Sequence, residues 1–237
     1  MSNNNNNREQ PGWLFLKVLV SPGQALAKIA EKPSFLKTAL VITGLSLIIG
    51  AALSPKIQAF TVWTLTHGPA VLPPEQREQV LSYVTKFSAA GTIASTLIAP
   101  WFVWLVVAGL LKLYFVLSGK AISFKTLFAV AVYGYLPVFA GWLIVTPITL
   151  AVPVENLQNV TLSLAAFLPA QKSLLYFFLT KCSPFTWWSL ILWGIGGASA
   201  AKTQPGGVIA YNFGWWLVYA LLAASFALLK APAGMGG

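Results

Sequence analysis

Acid–base and metal chemistry needs carboxylates, imidazoles or thiols that converge, and this chain carries few of them. Its acids are Glu9, Glu31, Glu75, Glu78 and Glu155; it has no Asp, and His67 and Cys182 are its single histidine and cysteine. Catalytic triads, carboxylate pairs and metal sites each draw several such groups together. Groups this sparse point to no catalytic, cofactor-binding or metal-ligating residues. A lone thiol forms no internal disulfide. His67, beside Pro69, Pro73 and Pro74, reads as a solvated loop histidine.

The residue types that do recur suit packing and anchoring. Ser46, Gly50 and Ser54 share a four-residue spacing, as do Gly91, Ser95 and Ala99, and Ala210 with Gly214. Gly194, Gly196 and Gly197 lead into Ala198–Ala201, an almost smooth surface. In lipid the hydrophobic drive between helices is missing, and small faces replace it by letting backbones approach. Such faces serve either the chain's own bundle or a partner. Ten Trp are present. Trp187 and Trp188 sit where an interfacial belt would lie, and Trp142, Trp193, Trp215 and Trp216 read as bundle packing.

These residues must be held by membrane helices. Of the 237 residues 57% are apolar and 8% charged, and the mean hydropathy is +0.73. A soluble domain carries roughly a quarter of its residues as charges, so the chain is read as all-α and membrane-integral. Five uncharged runs, at about 35–54, 89–111, 127–151, 184–201 and 207–229, are each long enough to cross about 30 Å of hydrocarbon. Pro137, Pro147 and Pro153 imply kinks in and after the third. Within 160–180 two short apolar runs are split by Pro169 and Lys172, which favours a re-entrant or interfacial piece over a sixth span.

Ahead of the spans, residues 1–12 read as a disordered tail, and 231–237 as a second tail. Ser21 and Pro22 mark a helix start, and the helix would end near Lys32, before Pro33. Its mixture of Trp13, Leu14, Leu16, Leu26 and Ile29 with Lys17, Lys28 and Lys32 predicts an amphipathic segment over 13–33, lying in the cytoplasmic interface. Arg8, the apolar run after it and Ala25-Leu26-Ala27 imitate a signal peptide, but Lys17 interrupts the run.

Thirteen Lys and two Arg give a net charge of +10. In a membrane chain that charge marks cytoplasmic loops and anionic headgroups rather than nucleic acid. Lys28, Lys32, Lys37, Lys120 and Lys125 are the candidate headgroup contacts. With an internal N-terminus, nine basic residues fall inside, among them Lys112 and Lys202, and six fall in longer outer segments. Five spans then place the C-terminus outside. The spans hold no ionisable group near mid-membrane; Lys112 comes closest and can snorkel. That absence disfavours coupled transport.

Three stretches carry a family resemblance. They are Ser21-Pro22-Gly23, opening a basic helix; Gly119–Lys125 leading into Tyr133-Gly134-Tyr135-Leu136-Pro137; and Pro184-Phe185-Thr186-Trp187-Trp188, running on to Gly194-Ile195-Gly196. Over about 21–229 the chain resembles the Yip domain family of Ypt/Rab-GTPase-interacting multi-pass membrane proteins, in its short prokaryotic form. The resemblance implies five spans, a cytoplasmic N-terminus and a short external C-terminus, and it adds Tyr133, Gly134, Tyr135 and Pro137 to the candidate packing or partner-contact residues. Eukaryotic members bind prenylated Rab GTPases and act in Golgi traffic. This chain lacks their long cytoplasmic N-terminal region and their acidic Asp-Leu-x-Gly-Pro-type element, so that activity does not carry over. The expected function is a scaffold or accessory subunit of a bacterial inner membrane, with a membrane-protein partner or a second copy. A lipid or small-molecule permease is the alternative.

Overall fold

The computed structural model describes residues 17–67 and 73–231. The tail expected at 1–12, the apolar residues Trp13, Leu14 and Leu16, and positions 232–237 lie outside them. Among the described residues all regular structure is helical. The helices are α1 (Pro22–Glu31), α2 (Leu36–His67), α3 (Pro74–Leu117), α4 (Phe124–Gly134), α5 (Leu136–Ala151), α6 (Leu174–Leu179), α7 (Pro184–Ala201) and α8 (Pro205–Lys230). Four stretches are long and apolar enough to cross a membrane: Leu36–His67, Glu75–Leu117, Phe124–Ala151 and Pro205–Lys230.

That number is one fewer than the five uncharged runs suggest, and the reason is α7. Its 18 residues include Trp187, Trp188, Trp193, Gly194, Gly196 and Gly197, which lower its apolarity. The helix packs against α1, α4, α5 and α8 together. A helix enclosed by protein does not have to match lipid, so its surface is selected for fit.

α2 and α3 extend well past the runs at 35–54 and 89–111. With 32 and 44 residues they are about 48 and 66 Å long, against about 30 Å of hydrocarbon. The segment read as an outer loop is thus largely a helical hairpin, in which the Gln58 amide donates to the Thr85 carbonyl at 3.3 Å. His67 ends α2 rather than sitting in a loop; it is exposed and stacks on Trp63 at 5.5 Å. Pro55 cannot donate to the Ala51 carbonyl, and the Ser54 hydroxyl takes that place at 3.1 Å, so α2 runs on unbroken.

The third apolar run is broken at Tyr135 into α4 and α5, two residues ahead of Pro137, and Pro147 is accommodated inside α5. The stretch 160–180 follows the turn of Val154–Asn159 and holds the turn of Leu164–Phe167 and the six-residue α6, which packs on α8. α1 shows where the surface-lying expectation meets the fold. Its apolar stripe, Ala25, Leu26 and Ile29, is buried against α4 and α7, so protein covers it instead of lipid. Val18, just ahead of it, is also fully buried.

The core lies where α1, α3, α4 and α7 converge: Leu26, Trp104, Leu111, Phe115, Leu127, Val130 and Leu192 are fully buried there. The starts of α2, α4 and α8 and the ends of α3 and α7 form one end of the bundle, with Lys37, Lys112, Lys120, Lys125 and Lys202. We call it the basic end, and the opposite one the hairpin end.

Candidate functional site

The break between α4 and α5 joins the most sequence features in the smallest space. At Tyr135 the backbone N–H reaches the Val132 carbonyl at 3.3 Å, a tighter turn than an α-helix, while Pro137 removes a further donor. The Ala131 carbonyl, which a continuous helix would pair with Tyr135, accepts instead the Trp193 indole N–H of α7 at 3.0 Å. Gly134 makes that approach possible, since a Cβ there would collide with the Trp193 ring. Tyr133 donates its hydroxyl to the Ser34 carbonyl at 3.2 Å, tying α4 to the segment before α2. Tyr135 lies edge-on to the fully buried Trp104, with centroids 5.9 Å apart. Pro137 is buried as well.

The smooth face of α7 is occupied on every side. A Cβ on Gly194 would strike Ile209 of α8, and one on Gly196 would lie 2.6 Å from Val130 Cγ1 and 3.4 Å from Leu26. At Gly197 it would meet Phe115 and Leu111 at 3.3–3.4 Å. Gly50 faces Thr96 across the α2–α3 contact, with no space for a side chain. Gly91 and Gly214 differ, since nothing lies within 4 Å of their Cβ positions and both are exposed. Ser95 is exposed too, and lines a cavity of about 140 Å³ with Ser46, Thr96 and Tyr135.

Interhelical hydrogen bonds supplement these contacts: Trp101 Nε1 to Thr43 Oγ1 at 2.9 Å, Tyr211 to the Leu110 carbonyl at 3.0 Å, and the buried Asn212 Nδ2 to the Leu190 carbonyl at 3.1 Å. Each joins two apolar helices where no water competes. Sequence reading passed over Asn212 and Thr96. A single amide inside the run 207–229 is the signal that would have found the first.

At the basic end, Lys28, Lys32, Lys37 and Lys125 are exposed. Lys120 is partly buried, and its ammonium donates to the Ala201 carbonyl at 3.2 Å, at the C-terminus of α7. A cation there satisfies an orphan carbonyl and the negative end of the helix dipole. Lys112 donates to the Ile122 carbonyl at 2.7 Å, fastening the α3–α4 loop. Among the described residues no carboxylate holds either ammonium. Among the described residues no three His, Cys, Asp or Glu side chains gather as a metal site would require.

A larger groove opens towards the hairpin end. About 410 Å³ in volume, it lies between α2, α5, the turn of Val154–Asn159 and the start of α7. Trp142, 47% exposed, lines both this groove and the smaller cavity.

These features define a multi-pass helical membrane protein organised by aromatic and glycine contacts. The Yip1 domain family model matches residues 16–227, and the chain belongs to that family. It is a family of membrane proteins not known as enzymatic. No curated protein and no solved structure matches the chain.

Proposed function

We propose that the protein is a five-span scaffold or accessory subunit of a bacterial inner membrane, with a cytoplasmic N-terminus and an external C-terminus. It acts through helix–helix contacts and through the basic end on anionic lipid. α7 counts as the fifth span: its 18 residues give about 27 Å, close to the hydrocarbon thickness. The observation that carries the reading is how the small residues divide. Gly50, Gly134, Gly194, Gly196 and Gly197 are used up inside the bundle, whereas Gly91 and Gly214 face outward. They sit on the two spans whose apolar windows are least buried, 17% each. Those faces remain for a membrane-protein partner or a second copy.

Cysteines at Gly91 and Gly214, in a Cys182→Ser background, test this by crosslinking in native membranes. A defined adduct to one partner or to a second copy supports the reading. A chain that stays monomeric and partnerless at both positions sinks it.

The permease reading needs a path through the bundle. Towards the basic end the α4–α7 contact is filled by Trp193 on Gly134 and Val130 on Gly196. Liposomes containing the protein are therefore expected to move labelled lipid between leaflets no faster than empty ones.

A further inference from the structure

We infer that the groove between α2, α5 and α7 is a binding site for one acyl chain of a membrane phospholipid. Its walls are Leu53 and Ile57 of α2, Val138 and Val145 of α5, and Leu157 of the adjoining turn. Gly141 forms part of the floor, where a Cβ would lie 3.0 Å from the Phe185 ring. At the inner end Trp142 leads to the smaller cavity, walled by Ile49, Ala99, Pro100 and Tyr135. The hydroxyl-bearing residues Thr161, Ser183 and Thr186 line the part contributed by the loops and the start of α7. Among the described residues no charged side chain lines either space.

Three observations select the occupant. The groove's volume, about 410 Å³, falls within the range of about 300–1,000 Å³ typical of small-ligand sites. Two of its walls, α2 and α5, belong to stretches long and apolar enough to cross the membrane, and Trp142, Leu143 and Ile144 beside it are 47–48% exposed, so its Trp142 side faces hydrocarbon. The aliphatic part of the groove offers water few partners, and leaving it empty forfeits the contacts of its walls. The gradient from aliphatic depth to hydroxyl rim also follows a phospholipid from its chain to its ester and phosphate groups. The groove is independent of the scaffold reading, because none of the residues that line it belongs to α3 or α8, the helices that carry Gly91 and Gly214.

The test places the full chain in nanodiscs of phosphatidylcholine and phosphatidylglycerol, with a tracer of phosphatidylcholine bearing a diazirine on one acyl chain. After illumination the adducts are mapped by peptide mass spectrometry. Adducts on Leu53, Val138, Val145 and Leu157 should exceed, several-fold, those on the exposed α8 residues Leu221 and Phe226. Val145→Trp should fill the groove and reduce its adducts several-fold without changing those on α8; Thr149→Trp, at another wall position, is the second variant if the first does not insert. Adducts spread evenly over the lipid-facing surface, or groove adducts unmoved by either variant, would each overturn the site. The wild-type map decides the matter even if both variants fail to insert.

Discussion

Gly134 cannot accept a methyl group, because the Trp193 ring occupies the space a Cβ would take. Gly134→Ala should therefore lower the melting temperature in detergent, in line with an overpacking cost of about 1–3 kcal/mol. Trp193→Phe leaves the buried Ala131 carbonyl without its donor and should cost about 1–3 kcal/mol. The two effects share one contact, so the double variant should lose less than their sum. Cys182 offers a second residue-scale check. Its thiol is 3% exposed, and burial pushes its pKa up from the usual value, so less thiolate is present at any neutral or mildly alkaline pH. N-ethylmaleimide at pH 7 should label it slowly in the folded protein and rapidly in SDS. At this scale Tyr133–Pro137 was legible as a motif, but Trp193, the residue that explains it, was not. Nothing in one chain states which indole will meet which glycine.

The central helix carries the prediction at the scale of elements. α7 has the tryptophans and glycines that fit it to α1, α4, α5 and α8, and it is not among the stretches long and apolar enough to cross a membrane. In an insertion assay with each segment alone in a host protein, α7 should insert less efficiently than α8, because its interior face is matched to protein. Equal insertion would mean that fit to neighbours has not cost it lipid compatibility. The existence of the long helices was legible from uncharged runs, since a chain in hydrocarbon must satisfy its own backbone. Their ends were not. Uncharged runs report where the hydrocarbon lies, whereas α2 and α3 continue into a polar hairpin through helix-compatible residues such as Gln58 and Lys86. The start of α1 was legible from Ser21 and Pro22, but its apolar stripe meets Val130 and the Gly196 surface, and periodicity alone does not distinguish lipid from protein as the cover.

For the whole molecule, the open quantity is direction. The bundle gathers Lys37, Lys112, Lys120, Lys125 and Lys202 at one end, and positive charge near span ends is retained in the cytoplasm. Alkaline phosphatase, active only outside the cytoplasm, should be active when fused after Lys230 and inactive when fused after Lys202. Two active or two inactive fusions would mean that α8 does not cross. The reversed pair would turn the molecule over and remove the basis for placing the basic end on the inner leaflet. If direction holds, the lysines have a further measurable consequence. Lys28, Lys32 and Lys37 are exposed together around the α1–α2 connection, while the stripe of α1 is already covered by protein, so the contribution of α1 to lipid preference is electrostatic rather than hydrophobic. Replacing all three with Gln should weaken the preference for phosphatidylglycerol over phosphatidylcholine by about 1 kcal/mol per charge at low salt, and the difference should shrink as salt is raised. An unchanged preference would assign these lysines to setting topology during insertion rather than to holding lipid afterwards.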